Sequence, residues 1–421
     1  MLQNVAKRRI HSPMTFRRGM RAPLLTFRDV SVRRGQKTVL ENVNFELHPG
    51  ECVALFGENG CGKSTFLEVA ARLHPIERGS VLHDEEVVID ADGRRKKSPL
   101  TLGLCLQKNG AMGQERVQDR LEVAMSQSRH QVVSNPFLEA FNLTHRAQDA
   151  LFNLSQGQQR KVAVLAGLLP AFSSPNPTLI ILDEPDAGLD EAAVNQLIKW
   201  LTELRQLGHA ILISTHHQPL LSIASKIYDF KTLQTTAQEQ ANGELTTIIQ
   251  SATPRITPMR FGLKHQLITM KWLESNVMAG LLALGVMLTF GGLPFNTSSM
   301  IGIGFILTPA FAAGLCGDGL TRMLQEEHAN DWWRAVASPP HSGILPILFG
   351  TMLTLSAQLA LFNEWTLSFV LIGGIISLVT SHLVRLLAET NQRLSRPNAA
   401  LIGLLTPILI LPFALLLDAL A

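Results

Sequence analysis

The run Gly57-Glu-Asn-Gly-Cys-Gly-Lys-Ser64 has the residue types and spacing of a loop that cradles phosphate. Gly57, Gly60 and Gly62 lack a Cβ, so the backbone around Asn59 can turn its N–H groups inward onto phosphate oxygens. Lys63 would place a point charge on the β and γ phosphates of a nucleotide, and the Ser64 hydroxyl would ligate Mg²⁺. Thr65 opens the helix that follows, whose positive N-terminus points at the same anion. A second constellation is Leu179-Ile-Ile-Leu-Asp-Glu-Pro185, an apolar strand ending in two carboxylates. Alone, such a pair is often an ordinary strand end. Behind a phosphate loop, Asp183 reads as the holder of Mg²⁺, directly or through water, and Glu184 as the general base that polarises the attacking water. The chemistry implied is hydrolysis of a nucleoside triphosphate with Mg²⁺.

Such a loop must join a strand to a helix, and the surrounding sequence provides both. Cys52-Val-Ala-Leu-Phe56, Leu179–Leu182 and Ala210-Ile-Leu-Ile-Ser214 are short apolar runs alternating with helical stretches. The last two are nearly continuous, as in parallel strands buried on both faces. Residues 24–231 therefore read as one α/β domain of the P-loop NTPase class. Residues 1–23 form a basic tail (Lys7, Arg8, Arg9, Arg17, Arg18 and Arg21) without the apolar stretch of a signal peptide, and residues 232–260 are polar and read as a linker. A net charge of +3 over 421 residues is too small to make nucleic acid the main partner. The four cysteines, Cys52, Cys61, Cys105 and Cys316, fit neither a zinc site nor a disulfide framework, which suits a reducing cytosol.

Residues 261–421 change character. Asn276–Leu293, Met300–Cys316, Gly343–Phe362, Thr366–Leu383 and Ala399–Leu417 are five apolar segments. Each is roughly 17–20 residues, about what a helix needs to cross ~30 Å of hydrocarbon. This half reads as an all-α transmembrane domain of about five helices. Arg255, Arg260, Lys264 and Lys271 precede the first segment. Arg322 and Arg334 lie between the second and third, and Arg385, Arg393 and Arg396 between the fourth and fifth. The loops around Asn296 and Glu364 carry no Lys or Arg. The positive-inside rule then puts the α/β domain in the cytoplasm and Ala421 outside.

Between the two constellations lies Leu154-Ser-Gln-Gly-Gln-Gln-Arg-Lys161. It resembles the LSGGQ signature of the ATP-binding-cassette proteins, with Gln156 in place of the first glycine. Other marks follow the family order: Gln107 after an apolar strand resembles its Q-loop glutamine, Ala187-Gly-Leu-Asp190 its D-loop, and His216 after Ser214-Thr215 its switch histidine. The resemblance covers residues 24–231 and implies a cassette with a helical subdomain, with ATP and Mg²⁺ as its cofactors. It assigns Gln107 to the Mg²⁺ shell and gives Glu184, Gln107 and His216 catalytic roles. It also implies a second cassette, because Ser155, Gly157 and Gln158 would meet the γ-phosphate held by the partner's loop, with Asp190 beside them. The family usually stacks an aromatic residue on adenine; the corresponding residue is Arg34, whose guanidinium can also stack on a base.

Within the family, the cassette most resembles the haem-exporter ATP-binding subunit of bacterial cytochrome c maturation, through Leu154–Lys161, Ile181–Pro185 and Gly208-His-Ala-Ile-Leu-Ile-Ser-Thr-His-His-Gln-Pro-Leu220. The apolar half resembles the permease of that system, most clearly in Gln325-Glu-Glu-His-Ala-Asn-Asp-Trp-Trp-Arg-Ala-Val-Ala-Ser-Pro-Pro340. On a helix, Trp332, Trp333 and Val336 would share one face and fill a groove on the cassette, leaving Glu326, Glu327 and Arg334 solvated. The alternative places both tryptophans at the membrane interface. The permease family has six spans where this sequence shows five. The resemblance implies a bacterial inner-membrane protein in haem handling, with further permease or maturation subunits as partners. An exporter of lipid, drug or polysaccharide, and a membrane-anchored ATPase serving a separate permease, are the alternatives. His328, His341 and His382 read as solvated or hydrogen-bonded side chains rather than haem ligands.

Overall fold

The structure, a computed structural model, describes residues 22–128, 130–230, 232, 234–237, 252–254, 274–289, 300–336, 339–340, 343–390 and 398–420. The basic tail up to residue 21, Arg255 to Lys271, the loop around Asn296, His341, Arg393 and Arg396 lie outside the described residues.

Two sheets make the N-terminal half. Strands β1 (Leu25–Arg34), β2 (Lys37–Leu47), β4 (Arg78–His83) and β5 (Glu86–Asp90) form an antiparallel sheet in the order β2-β1-β4-β5. The other sheet has the order β11-β10-β3-β9-β8-β6, with β11 (Gln234–Ala237) at one edge and β3 (Cys52–Phe56), β6 (Leu102–Cys105), β8 (Leu179–Asp183), β9 (Ala210–Ser214) and β10 (Lys226–Asp229) parallel. Every residue of β8 and β9 is buried, which is why both read as unbroken apolar runs. Their register decides the site. Leu55 pairs with Ser214, Ser214 with Asp183, and Leu182 with Cys105. The phosphate loop, the two carboxylates, Thr215 and Gln107 therefore leave the sheet at one edge, where α/β sheets bind ligands.

The helix Lys63–Ala70 lies between the sheets. Its fully buried Phe66 meets Phe27, Phe45 and Tyr228, with ring centroids 4.6, 5.1 and 5.4 Å away. That aromatic core fixes the start of the helix, and with it Lys63, against three strands. A helical subdomain of Val117–Met125, Asn135–Ala140 and Gln156–Phe172 packs beside β6. The polar segment after residue 231 is more than a connector. Gln234–Ala237 is β11, an antiparallel edge strand on β10, and Thr253–Pro254 (β12) pairs with His130–Gln131 (β7). Its Thr-rich stretch lacks the apolar run of a central strand, so only the open edge of β10 reveals the pairing.

All five apolar segments contain helices: Glu274–Thr289, Met300–Leu315, Leu345–Phe362, Leu367–Thr390 and Ala399–Leu420. Among the described residues three are long and apolar enough to cross a membrane: Ile301–Glu326, Leu345–Phe362 and Leu367–Ala388. The helices Glu274–Thr289 and Ala399–Leu420 fall on the first and last of the five apolar segments. Gly350 and Gly373 let two of these helices approach closely, since a Cβ on Gly350 would lie 2.6 Å from the Gly373 carbonyl. Leucine and isoleucine side chains such as Leu371, Ile375, Leu401 and Ile408 face outward. A surface this apolar is unusual for a protein facing only water.

Candidate nucleotide site

Lys63 is buried although charged, and its Nζ donates to the carbonyls of Gly57 (2.7 Å) and Glu58 (3.1 Å). The loop thus curls around its own lysine. Gly62 has φ +119, and a Cβ there would lie 2.9 Å from Val39 Cγ1, so any side chain would displace the floor of the loop. A cleft of about 590 Å³ opens above it, lined by Asn59, Gly60, Gly62, Lys63, Ser64 and Thr65. Gln107, Glu184 and Arg34 line the same cleft, so a site read from separate stretches of sequence converges.

Asp183 is buried and accepts a hydrogen bond from Ser214 Oγ at 2.5 Å. Glu184 has φ +46, a left-handed backbone that costs energy outside glycine. Three hydrogen bonds hold it there. Its N–H donates to the Ser214 carbonyl (3.0 Å) and Ser214 Oγ (3.1 Å), and its carbonyl accepts from Arg160 Nη2 (2.7 Å). Arg160 also donates to the carbonyls of Asp183 and Leu106, both at 2.6 Å. This one buried guanidinium clamps the carboxylate strand to the strand that carries Gln107. Sequence reasoning gave Arg160 no role; its position two residues beyond Gln158 is the available signal.

Arg34 forms an ion pair with Glu68, and both line the cleft. Sequence reasoning also missed Glu68, which lies four residues past Ser64 on the next turn of the helix. Ser155, Gly157, Gln158, Asp190 and His216 are not among the residues lining the cleft. Ser155 caps its helix, with its Oγ accepting from Gln158 N–H (3.3 Å) while the Gln158 side chain accepts from Ser155 N–H (3.0 Å). The reciprocal pair stiffens the signature helix at its exposed start. Asp190 caps the helix Glu191–Gln206 and pairs with Lys161 at 2.5 Å, which holds its carboxyl below the usual range. His216 follows β9 and is exposed.

Cys61 is the one thiol of the four that is not buried. A Cβ on Gly57 would lie 2.8 Å from its Sγ, so the thiol sits within the loop itself. Burial pushes the Cys52 thiol up to about 12 and raises that of Cys105. Alkylation is therefore expected to modify Cys61 first and to inactivate the protein, with MgATP protecting it. Full activity after mass spectrometry confirms Cys61 labelling would show that the loop tolerates a bulky group beside the phosphates.

A second convergence joins this site to the apolar half. The helix Asn330–Val336 buries Trp332, Trp333, Ala335 and Val336 in the same hydrophobic core as the cassette strands. The Arg120 guanidinium lies 3.7 Å from the Trp332 ring centroid, a cation–π contact. Gly110, three residues past Gln107, has φ +64, and a Cβ there would lie 2.9 Å from Trp332 Cβ. Arg72 donates to the Ala335 carbonyl at 2.5 Å, and Lys108 Nζ lies 3.0 Å from His328 Nε2. Both tryptophans thus pack on the cassette. Glu327 is exposed, as expected, and also accepts a hydrogen bond from Gly113 N–H; partial burial of its carboxyl raises its pKa. Glu115 is buried 3.8 Å from Arg120, and burial pushes it up to about 7. His382 Nδ1 hydrogen-bonds the Leu378 carbonyl at 3.0 Å.

Residues 40–187 match the family model described as ABC transporter. The chain is 32% identical over 218 residues to the energy-coupling factor transporter ATP-binding protein EcfA of Methanococcus maripaludis, a match covering 49% of this chain and 75% of that protein. It is 26% identical over 253 residues to the ABC-type transporter ATP-binding protein EcsA of Bacillus subtilis, covering 60% of this chain and 96% of that one. A solved structure titled as the ATP-binding subunit of an ABC transporter is 26% identical, covers 49% of this chain and 85% of its own, and has a TM-score of 0.42. With the phosphate loop, the paired carboxylates and the signature helix in place, and a relative at 32% identity matched over three quarters of its length, this chain belongs to the ABC transporter family and carries that family's ATP-hydrolysing cassette.

Proposed function

We propose that this protein couples ATP hydrolysis by its cassette to movement of its own apolar helices in the bacterial inner membrane. The observation that carries the reading is Trp332. It is 2% exposed, packed under Arg120 and against Gly110 beside the Gln107 loop, on a segment that continues from an apolar helix. A shift of the Gln107 loop with nucleotide state would therefore be felt directly by that segment.

In this reading Lys63 and the loop N–H groups hold the β and γ phosphates, and Arg34 lies on the base. Glu184 takes a proton from the attacking water as its oxygen bonds to the γ-phosphorus and the bond to the β–γ bridging oxygen breaks. Ser64, Gln107 and Asp183 offer hard oxygen donors, a set that suits Mg²⁺. When bound, that ion offsets phosphate charge. Ser155, Gly157, Gln158 and Asp190 would act on the nucleotide of a second cassette, which agrees with their position outside this chain's cleft. His216, exposed after β9, would reach the γ-phosphate on closure. The domain limits of the reading are a tail to 23, a cassette over 24–231, a connection to 260 and a membrane domain beyond.

The finer reading is haem handling for cytochrome c assembly, supported by the resemblance of Leu154–Lys161, Gly208–Leu220 and Gln325–Pro340 to that system. Chromosomal Trp332→Ala tests both levels, with Trp332→Phe as the milder variant if Ala fails to fold. The expected outcome is a purified protein that still hydrolyses ATP, in cells whose c-type cytochromes lack covalent haem. Normal haem content beside uncoupled ATPase would remove the cytochrome reading. Wild-type behaviour in both assays would remove the coupling.

A further inference from the structure

A cavity of about 420 Å³ lies where the tryptophan helix meets the membrane half, and neither the nucleotide nor the coupling contact uses it. Asn330, Asp331 and Arg334 line it from the tryptophan helix, Gln325 and His328 from the segment before, and Arg385 from the helix Leu367–Thr390. Three of these, His328, Asp331 and Arg334, also line a larger cleft that reaches Arg95 and Lys108 on the cassette. Among the described residues, Arg334, Arg385, Arg95 and Lys108 thus stand around this shared wall, whose own carboxylate is Asp331, while the larger cleft runs on past Arg33, Arg34, Glu68 and Asp183 toward the nucleotide site.

The carboxylates nearby are committed elsewhere. Glu68 pairs with Arg34, Glu77 with Arg33, and Glu327 takes the Gly113 N–H. Among the described residues, Arg72, Arg95 and Arg334 have no carboxylate within ion-pair distance; Arg72 and Arg95 donate to backbone carbonyls instead. Burial, and the nearby charge of Arg334, hold Arg95 below the usual guanidinium range. Such a cluster concentrates anions, and a guanidinium fork matches phosphate oxygens in pairs.

The place of the cavity selects the source of that phosphate. Arg385 stands just past the apolar run that ends at Leu383, with Leu386 and Leu387 still exposed around it. On the reading that these helices cross the membrane, this is the depth of the cytoplasmic headgroups. We propose that the cavity between Arg334 and Arg385 binds the phosphate of an anionic phospholipid headgroup. The lipid then ties the tryptophan helix, and through it the nucleotide cleft, to the inner leaflet.

The full chain is reconstituted in phosphatidylcholine alone or in an equimolar mixture with phosphatidylglycerol, extracted in mild detergent, and its retained lipid counted by native mass spectrometry. Wild type is expected to retain phosphatidylglycerol in preference to phosphatidylcholine. Arg334→Ala and Arg385→Ala are each expected to lower that preference about fivefold, the usual weight of one basic residue at such a surface. Arg334→Gln and Arg385→Gln serve where an alanine variant misfolds. Equal retention of both lipids, or a preference unchanged in the variants, overturns the proposal. So does binding of inorganic phosphate in lipid-free detergent that depends on Arg334 while no lipid preference exists, which would make the ligand a soluble phosphate. Release of the chain by carbonate washing overturns the membrane reading and this proposal with it. A chain that stays in the membrane without lipid preference overturns this proposal alone.

Discussion

Glu184→Gln is expected to slow ATP hydrolysis about 100-fold or more, the usual contribution of a positioned general base, while ATP binding stays near wild type. The amide has the shape of the carboxylate but accepts a proton from water far less readily. The backbone should not move, because the bonds fixing Glu184 come from Ser214 and Arg160 to its main chain rather than to its carboxylate. Binding without turnover should then accumulate a closed pair of cassettes, visible as an ATP-dependent dimer in gel filtration. Phosphate release at the wild-type rate would exclude Glu184 as the base, and an ATP-independent monomer would argue against the paired site.

Lys63→Ala is expected to cost about 3 kcal/mol in stabilisation of the reacting phosphates, by analogy with removal of one preorganised donor, or about 100-fold in kcat/KM. The residue has two roles to separate. Its Nζ closes the loop on the carbonyls of Gly57 and Glu58, and it would carry the charge that meets the β and γ phosphates. Lys63→Met keeps the buried stem and removes only the charge, so it should match the alanine variant in nucleotide affinity while keeping a near-native melting temperature. If Lys63→Met binds ATP as wild type does, the lysine serves the loop and not the nucleotide.

The nucleotide chemistry was legible because each part is contiguous. Gly57 to Thr65 bends on its own glycines, and Asp183 and Glu184 end a strand whose every position is buried. Local sterics and hydrophobic periodicity determine such features, and both are written in a few adjacent residues. The same holds for the five apolar helices and for the tryptophan face of Asn330–Val336, since a helix places residues three and four apart on one side.

What only the tertiary structure decided are the pairings between distant stretches. Arg160 looks like any charged residue after a signature, until the register of β8 against β6 brings the carbonyls of Asp183, Glu184 and Leu106 around its guanidinium. Glu68 reads as one exposed position on an amphipathic helix until β1 sets Arg34 beside it. Gln234–Ala237 has no strand pattern of its own and becomes one because β10 offers an unpaired edge. The two tryptophans satisfied both a membrane interface and a cassette groove, and Gly110, Arg120 and Arg72 settle the choice from far up the chain. Short-range conformational preferences fix what each segment is; which segments meet depends on burial and on the neutralisation of charge across the fold, and no local pattern encodes either.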